Sequence, residues 1–518
     1  MSKTFAVIIG VSNYTIPSVG QLPFCIKDIK VMKKALIAGL AVLPENIITC
    51  GETGIVTIRD FYSIIQTAAL NLREQDTFLF YFSGHGGNLN GKHNLVLSDS
   101  FIPTNDVINL LDSITAKNKI IILDSCFAGN FEVSGTATAN AEDFIDGFTG
   151  KGYSVLASCN ASQVSRPYSD KSDNPDNWVS LFTSFLCAAL SNPFTIREGK
   201  KSLNDIHKLL FLMMDVWNRN NPDQAQTPIY RANLGGTIFF QVKDYTPYHS
   251  NQFYLNTARY IIKSVQPVHN GLAKRYSVEV ILKEAMPFPE IAAINQEIVS
   301  LVKPLDIYQT QIDENQWKQK PANIVFCYYA LSETDILQSN YLCHTTWVDD
   351  NQDKSWWYRE GKNCELIQDV LIQIHPQYFT IKQYNSEHTG ERDDLIRQTK
   401  QIISELASLA EKIIAEYNEY RNEERREEEL IEFVKQIAPE ISRLCYEESN
   451  LDIPPDDLYK WSNACMSVAC FIQDLALCYS NESFLSRSAE NRKACMEISI
   501  KQYYKELEKL RALEENMQ

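Results

Sequence analysis

Residues 81–86 read Tyr-Phe-Ser-Gly-His-Gly, and residues 122–129 read Ile-Leu-Asp-Ser-Cys-Phe-Ala-Gly. Each segment is an apolar run that breaks into small residues, and each presents one reactive side chain at the break, His85 and Cys126. A thiol attacks a carbonyl as its thiolate, and an imidazole within hydrogen-bond reach supplies the base that makes one. Taken alone, a cysteine after a strand is usually a small buried residue, and a lone histidine is usually structural. The surroundings set this pair apart. Gly84, Gly86 and Gly87 flank His85, and Ser125, Ala128 and Gly129 flank Cys126. Glycine lets a backbone approach a ligand closely. Peptide N–H groups exposed at such turns can form an oxyanion hole. The chemistry expected is nucleophilic hydrolysis by a cysteine.

The two side chains meet only if their strands lie side by side in one parallel sheet. The first half of the chain has the pattern for it. Thr4–Gly10 is a continuous apolar run suited to a strand buried on both faces. Ile26, Ile29, Met32, Leu36 and Leu40 share one face of a helix over Cys25–Leu40. A short strand is expected at 46–50, a helix at 58–72 capped by Thr57, and a strand at 77–82. A small strand at 94–98 and a proline-opened helix at 103–114 follow. Strands are expected at 119–124 and 153–158, a polar loop at 162–177, helices at 178–190 and 203–218, and a last strand at 237–242. Strands alternating with helices predict a mainly parallel sheet with helices on both faces. Sites in such sheets form beyond the C-terminal strand ends, where His85 and Cys126 both fall.

At 518 residues the chain is too long for one core. We expect a first domain over 1–245 and a smaller α/β domain over 246–390, with 243–250 as a linker. A helical region over 391–518 follows. In the middle region 277–282, 324–329 and 370–374 read as strands, and 289–302 and part of 365–371 as helix. Leu406, Leu409, Ile413, Tyr417 and Tyr420 recur at helical spacing, and 458–479 reads as a helix in a bundle core. The charge run 423–429 reads as a solvated helix face.

The net charge of −16 argues against general binding to nucleic acid or to an anionic membrane. Thirteen scattered cysteines with no CxxC spacing, behind a start that lacks a signal peptide, point to reduced thiols in a cytoplasmic protein. No apolar stretch reaches the ~20 residues of a membrane span, and no structural metal site is expected. Cys25 and Cys159 are read as structural, Cys159 beside the pocket with Ser158. His93 is read as a surface loop residue.

The paired motifs, with residues 6–14 (AVIIGVSNY) and 22–28 (LPFCIKD), resemble the caspase-like cysteine peptidases, most closely the metacaspases and their bacterial relatives. The resemblance covers about 1–242. It implies His85 as general base, Cys126 as nucleophile, and the backbone N–H groups of Gly86 and Cys126 as the oxyanion hole. It also implies that Asp28 and Asp124 form the floor of the primary specificity pocket. Two carboxylates there favour a cationic side chain, so cleavage after Arg, with Lys second, is expected. The alternatives for the two aspartates are a first-turn helix carboxylate at Asp28 and a backbone-bonded structural carboxylate at Asp124. Phe127 departs from the polar residue usual after the metacaspase cysteine, and no acidic calcium site is identifiable, which leaves calcium dependence open. Catalysis itself calls for no cofactor.

A protease of basic specificity needs restraint, and the chain beyond residue 243 is the candidate source of it. That half is expected to sense a small signalling ligand, such as a nucleotide, or an upstream partner protein. The tryptophans at 347, 356 and 357 offer stacking surfaces, with ordinary core as their alternative. Bacterial relatives of this architecture look like abortive antiviral defence effectors, and the resemblance implies that role here. Protein substrates are the expected partners. Self-cleavage at Lys151 or Lys171 is a further expectation, with Arg166 made a poor site by Pro167. Two other readings stand beside a regulated endopeptidase: a catalytically silent scaffold, and an adaptor that oligomerises through its helical half. Intact His85 and Cys126 count against the scaffold.

Overall fold

The computed structural model describes residues 2–17, 19–89, 92–125, 153–159, 166–168, 178–232, 237–243, 253–359 and 361–515. The chain divides into two compact units, residues 1–336 with 341–378, and residues 337–340 with 379–518.

The first part of the chain builds β1 (Thr4–Gly10), α1 (Cys25–Leu40), β2 (Ile47–Cys50), α2 (Ile58–Asn71), β3 (Thr77–Gly84), β4 (Gly86–Leu89), β5 (Lys92–Val96), β6 (Phe101–Pro103) and α3 (Thr104–Asp112). It continues through β7 (Asn118–Ser125), β8 (Tyr153–Ala157), β9 (Pro167–Tyr168), β10 (Val179–Ser180) and a helix α4 (Leu181–Ser191). It ends with β11 (Ile196–Arg197), β12 (Lys200–Ser202), a helix α5 (Leu203–Asn220), β13 (Ile229–Ala232) and β14 (Phe239–Gln241). Six strands form one sheet in the order β13-β8-β7-β3-β1-β2. All its pairings are parallel except that of β13 with β8.

Strand alternation sorts the side chains of this sheet to its two faces. Val7, Ile9, Phe78, Phe80, Phe82, Ile121 and Leu123 pack with Phe61 and Ile65 of α2 and Val107 and Leu111 of α3 in one apolar core. Tyr81, Ser83 and Asp124 turn the other way, toward α1 and α4, as their hydrogen bonds to Asp28, Thr183 and each other's partners show. At the end of β1 a Cβ on Gly10 would lie 2.6 Å from the carbonyl oxygen of Cys25, so the close seat of α1 on β1 requires glycine there. Thr57 caps α2 as expected, in a reciprocal pair with Asp60.

Two expectations are corrected in this part. Within 237–242 the strand is β14, Phe239–Gln241, which pairs with β12 rather than with the main sheet. The main sheet's last strand is β13, a four-residue edge strand without a strong apolar run. His93 is not a surface residue. β5 is paired on both sides, by β4 and β6, which places His93 mid-sheet against the start of α3. It is 1% exposed, its Nδ1 lies 3.3 Å from the Thr104 hydroxyl, and that hydroxyl donates to the His93 carbonyl.

A second sheet of seven strands follows: β15 (Leu255–Asn256), β16 (Tyr260–Pro267), β17 (Arg275–Leu282), β18 (Ile324–Ala330), β19 (Cys343–Val348), β20 (Cys364–Ile367) and β21 (Val370–Ile374). Its order is β15-β16-β17-β18-β19-β21-β20. Only β17 and β18 run parallel, joined by a crossover that holds α6 (Phe288–Val302). The expected helix over part of 365–371 is instead a hairpin, turned at Gln368 and Asp369 with φ of 50° and 61°. Positive φ at both central residues is the turn geometry that matches strand twist.

The second unit is helical. Arg392–Arg421, Glu427–Ser449, Tyr459–Ser480 and Ala489–Glu515 bury Leu406, Ile413, Leu430, Ile441, Trp461, Ile472, Met496 and Tyr503 in a shared core. Cys465 and Cys478 lie in that core as small apolar residues. The charge run 423–429 straddles the break between the first two of these helices rather than one face. Among the described residues no helix is long and apolar enough to cross a membrane.

Candidate active site

β3 and β7 lie side by side and parallel, with Gly84 opposite Ser125. His85 follows Gly84 in the chain, and Cys126 follows Ser125. Cys126 lies outside the described residues, as do Phe127, Lys151 and Lys171. Arg166 is described, and its carbonyl accepts from the N–H of Leu181.

The imidazole of His85 is held from three directions. Its Nε2 lies 2.9 Å from the carbonyl oxygen of Gly20. A carbonyl only accepts, so Nε2 carries the proton and Nδ1 of the neutral ring is the free acceptor. The Tyr14 ring packs against it at 4.9 Å, and the Tyr14 hydroxyl accepts from the His85 backbone N–H at 2.9 Å while donating to the Val11 carbonyl. Burial lowers the His85 pKa, partly offset by the Gly20 carbonyl, which favours the charged ring. The neutral base form is therefore the form present near pH 7. A Cβ on Gly84 would meet the Tyr14 hydroxyl at 3.1 Å and the Phe82 ring at 2.9 Å, so the turn into His85 is tight.

Gly86 opens β4. The N–H of Val96 donates to the carbonyl of His85, so Gly86 with its partner Leu95 occupies the next, non-hydrogen-bonded position of the ladder. In an antiparallel pair that alternation turns the Gly86 N–H away from β5.

Asp28 and Asp124 are brought together inside the molecule. Asp28, in the first turn of α1, is fully buried, and Asp124, next to last in β7, is 2% exposed. The Asp28 carboxylate accepts from the Ser83 hydroxyl at 2.7 Å, the Ser180 hydroxyl at 2.5 Å and the Ser180 N–H at 2.8 Å. The Thr183 hydroxyl donates to Asp124 at 2.6 Å and lies 2.5 Å from the Tyr81 hydroxyl. Burial first, and the neighbouring Asp124 second, push the Asp28 pKa up to about 7 against the lowering effect of its hydrogen bonds. The same two carboxylates add to burial in raising the Tyr81 hydroxyl and the Cys187 thiol.

Ser83, Ser180, Thr183, Tyr81, Tyr14 and Gly20 were not singled out from the sequence. Ser180 lies 152 residues from Asp28, and a backbone carbonyl such as Gly20 leaves no sequence signal. Cys25 and Cys159 are buried, and Cys159 contacts the Ser125 carbonyl from 3.5 Å. In the second sheet, Lys303 sits over the Trp347 ring at 4.9 Å and Arg275 over Trp357 at 5.7 Å, while Trp356 is 72% exposed. Among the described residues no cluster of three or more His, Cys, Asp or Glu could hold a metal ion.

Residues 3–238 match the family model of the caspase domain. No curated protein matches the chain. Among solved structures, caspase-1 from Spodoptera frugiperda is 16% identical with a TM-score of 0.34, over 47% of this chain and 91% of that one. The pro-sf-caspase-1 structure is 16% identical with a TM-score of 0.32, over 46% and 89%. The family match goes no further toward the metacaspase branch. Residues 3–238, with a mainly parallel sheet flanked by helices on both faces, match the caspase domain family over their length.

Proposed function

We propose that this domain is a cysteine endopeptidase that cleaves protein substrates after Arg, with Lys second. The observation that carries the reading is the register of β3 on β7, which sets the residue before His85 opposite the residue before Cys126. Nδ1 of His85 takes the thiol proton of Cys126, since Nε2 is committed to Gly20. The thiolate attacks the scissile carbonyl carbon and forms a C–S bond, and the oxyanion is met by the N–H groups of Gly86 and Cys126. Collapse breaks the C–N bond as the imidazolium returns its proton to the leaving amine. Water, with His85 again as base, then hydrolyses the thioester.

The preference for a cation is supported by the buried pair of Asp28 and Asp124. A guanidinium offers several donors in a fixed fork and repays the repulsion between two carboxylates. A nonpolar guest would leave that repulsion unrelieved. Regulation of the domain by the chain beyond residue 245, through a small ligand or a partner protein, belongs to the same proposal.

The test is a fluorogenic peptide panel with Arg, Lys or Asp before the leaving group, run on wild type and Cys126→Ala with and without cell extract. Expected is Arg over Lys with no cleavage after Asp, and loss of all turnover in Cys126→Ala. Turnover that appears only in extract supports an external signal. Turnover that survives Cys126→Ala refutes the nucleophile, and cleavage after Asp refutes the pocket.

A further inference from the structure

We propose that Gln226 is a positioning residue for the strand end that carries Cys126, and that α5 links it to the docking of the seven-stranded sheet. This rests on the peptidase reading above. The last described residue before the nucleophile is Ser125, and its carbonyl is gripped from one side. The Ser158 hydroxyl donates to it at 3.3 Å and the Cys159 thiol approaches at 3.5 Å. The Ser158 N–H donates to the Leu123 carbonyl at 2.9 Å, so residues 158 and 159 continue the β7–β8 pairing past the end of β8.

Gln226 holds this grip from behind. Its Nε2 donates to the Ser158 carbonyl at 2.9 Å, and the residue is fully buried. Its own backbone is clamped by Asn218 in the last turn of α5. The Asn218 Nδ2 donates to the Gln226 carbonyl at 3.0 Å, and the Gln226 N–H donates to Asn218 Oδ1 at 2.9 Å.

A second observation separates this from ordinary packing. Gln226 Oε1 is buried without a hydrogen-bond partner among the described residues, and so is the Ser125 hydroxyl. A buried acceptor left unpaired bears its full desolvation cost, which an apolar side chain of the same shape would avoid. Space filling therefore does not account for an amide here. A fixed donor toward Ser158 does.

One residue beyond Asn218, Arg219 leaves the peptidase sheet. It pairs with Asp215 on its own helix at 3.1 Å, reaches Glu365 on β20, and lies over the ring of Phe288 at the start of α6 at 4.9 Å. Lys208 on the same helix pairs with Glu284 at 2.8 Å. The helix that clamps Gln226 is thus the helix on which the second sheet is docked. Small displacements of a reacting group cost large factors in rate, and the contacts through Asn218, Gln226 and Ser158 run from the turn before Arg219 to the Ser125 end of β7.

The test uses the full chain and Gln226→Met, which keeps shape and removes the donor. Two readouts are followed: kcat and KM on an Arg peptide, and the rate at which iodoacetamide alkylates Cys126, read by peptide mapping. Expected is a fall of at least about tenfold in kcat and in alkylation rate, with KM within about twofold and the chain still folded. Arg219→Ala and Glu365→Ala each lower kcat in wild type, and that effect vanishes in the Gln226→Met background. Asn218→Ser serves as the second variant and gives the same pattern. Folded Gln226→Met or Asn218→Ser with unchanged kcat and alkylation overturns the proposal, as does full additivity with Arg219→Ala. Unaltered turnover in Cys126→Ala marks a different failure: the peptidase reading falls and takes this one with it.

Discussion

The acidic pocket makes a prediction that separates it from every other part of the site. Compare two peptides that differ only in the residue before the cleaved bond, arginine against its uncharged near-isostere citrulline. The quantity of interest is the ratio of their kcat/KM values as pH is varied. Asp28 is fully buried and titrates near about 7 instead of 3.8, because burial and then Asp124 disfavour its charge. The displacement corresponds to about 4 kcal/mol of resistance to ionisation, which a bound guanidinium relieves. In the free enzyme Asp28 loses its charge as pH falls from 8 to 6. The arginine-to-citrulline ratio therefore falls about tenfold from pH 8 to pH 6, since kcat/KM reports the free enzyme. His85, whose pKa burial lowers from 6.5, acts on both peptides alike, so it divides out. In Asp28→Asn the ratio at pH 8 drops on the order of 100-fold, the size of losing one partner of a desolvated ion pair, and its dependence on pH between 6 and 8 disappears. A ratio that stays flat in wild type, or is unchanged in Asp28→Asn, refutes the reasoning.

The same carboxylate shows in the stability of the unliganded chain. Its folded pKa lies above its unfolded value, so the folded state keeps a proton that the unfolded state releases between pH 3.8 and about 7, and stability falls as pH rises through that window. The unfolding free energy of wild type minus that of Asp28→Asn, from urea titrations, is expected to decline from pH 4 to pH 8 by up to about 4 kcal/mol, and a difference that rises with pH counts against it. Tyr14→Phe strips the His85 N–H of its acceptor and the Val11 carbonyl of a donor. It should lower stability by about 1–3 kcal/mol and kcat by about tenfold, and an unchanged kcat would show that the hydroxyl does not set the pose of His85.

What could be read from the sequence follows from how each feature is encoded. The ends of β3 and β7 are legible because a fully buried strand is a run of large apolar residues, and its end is marked where small ones begin. β13 is not, because four residues at a sheet edge, three half-buried and Ala232 exposed, carry no such run. The hairpin of β20 and β21 was read partly as helix because Leu366, Ile367, Val370 and Leu371 also fit a helical spacing. The turn at Gln368–Asp369 lacks the glycine that usually marks one. His93 was placed on the surface because its burial depends on β6, a three-residue strand whose pairing the local pattern does not reveal. Asp28 and Asp124, which the fold brings together, lie in the motifs that carry the family resemblance. Their partners Ser83, Ser180 and Thr183 were not legible, because hydroxyl donors gathered from two distant segments look like any other serine or threonine.

The division of the main sheet explains how the chain tolerates two buried carboxylates near a base. Side chains alternate along β3, so Phe78, Phe80 and Phe82 seal one face with α2 and α3, while Tyr81 and Ser83 line the other. β7 repeats the split, with Ile121 and Leu123 on the sealed face and Asp124 on the other. Polar cost is thereby confined to one side of the sheet, where Ser180 at the end of β10 gives Asp28 a hydroxyl and an N–H donor and Thr183 of α4 gives Asp124 a hydroxyl donor. The field of the pair is felt by Tyr81 and Cys187, which lie on that side. It does not figure in the titration of His85, which burial and the Gly20 carbonyl govern. Had Asp28 and Asp124 reached the imidazole, they would have stabilised its charged form and weakened it as a base at neutral pH. Separation along one strand, Ser83 against the buried carboxylates and His85 past the strand end, lets a single sheet edge hold the Asp28–Asp124 pair and a neutral imidazole within a few residues of each other.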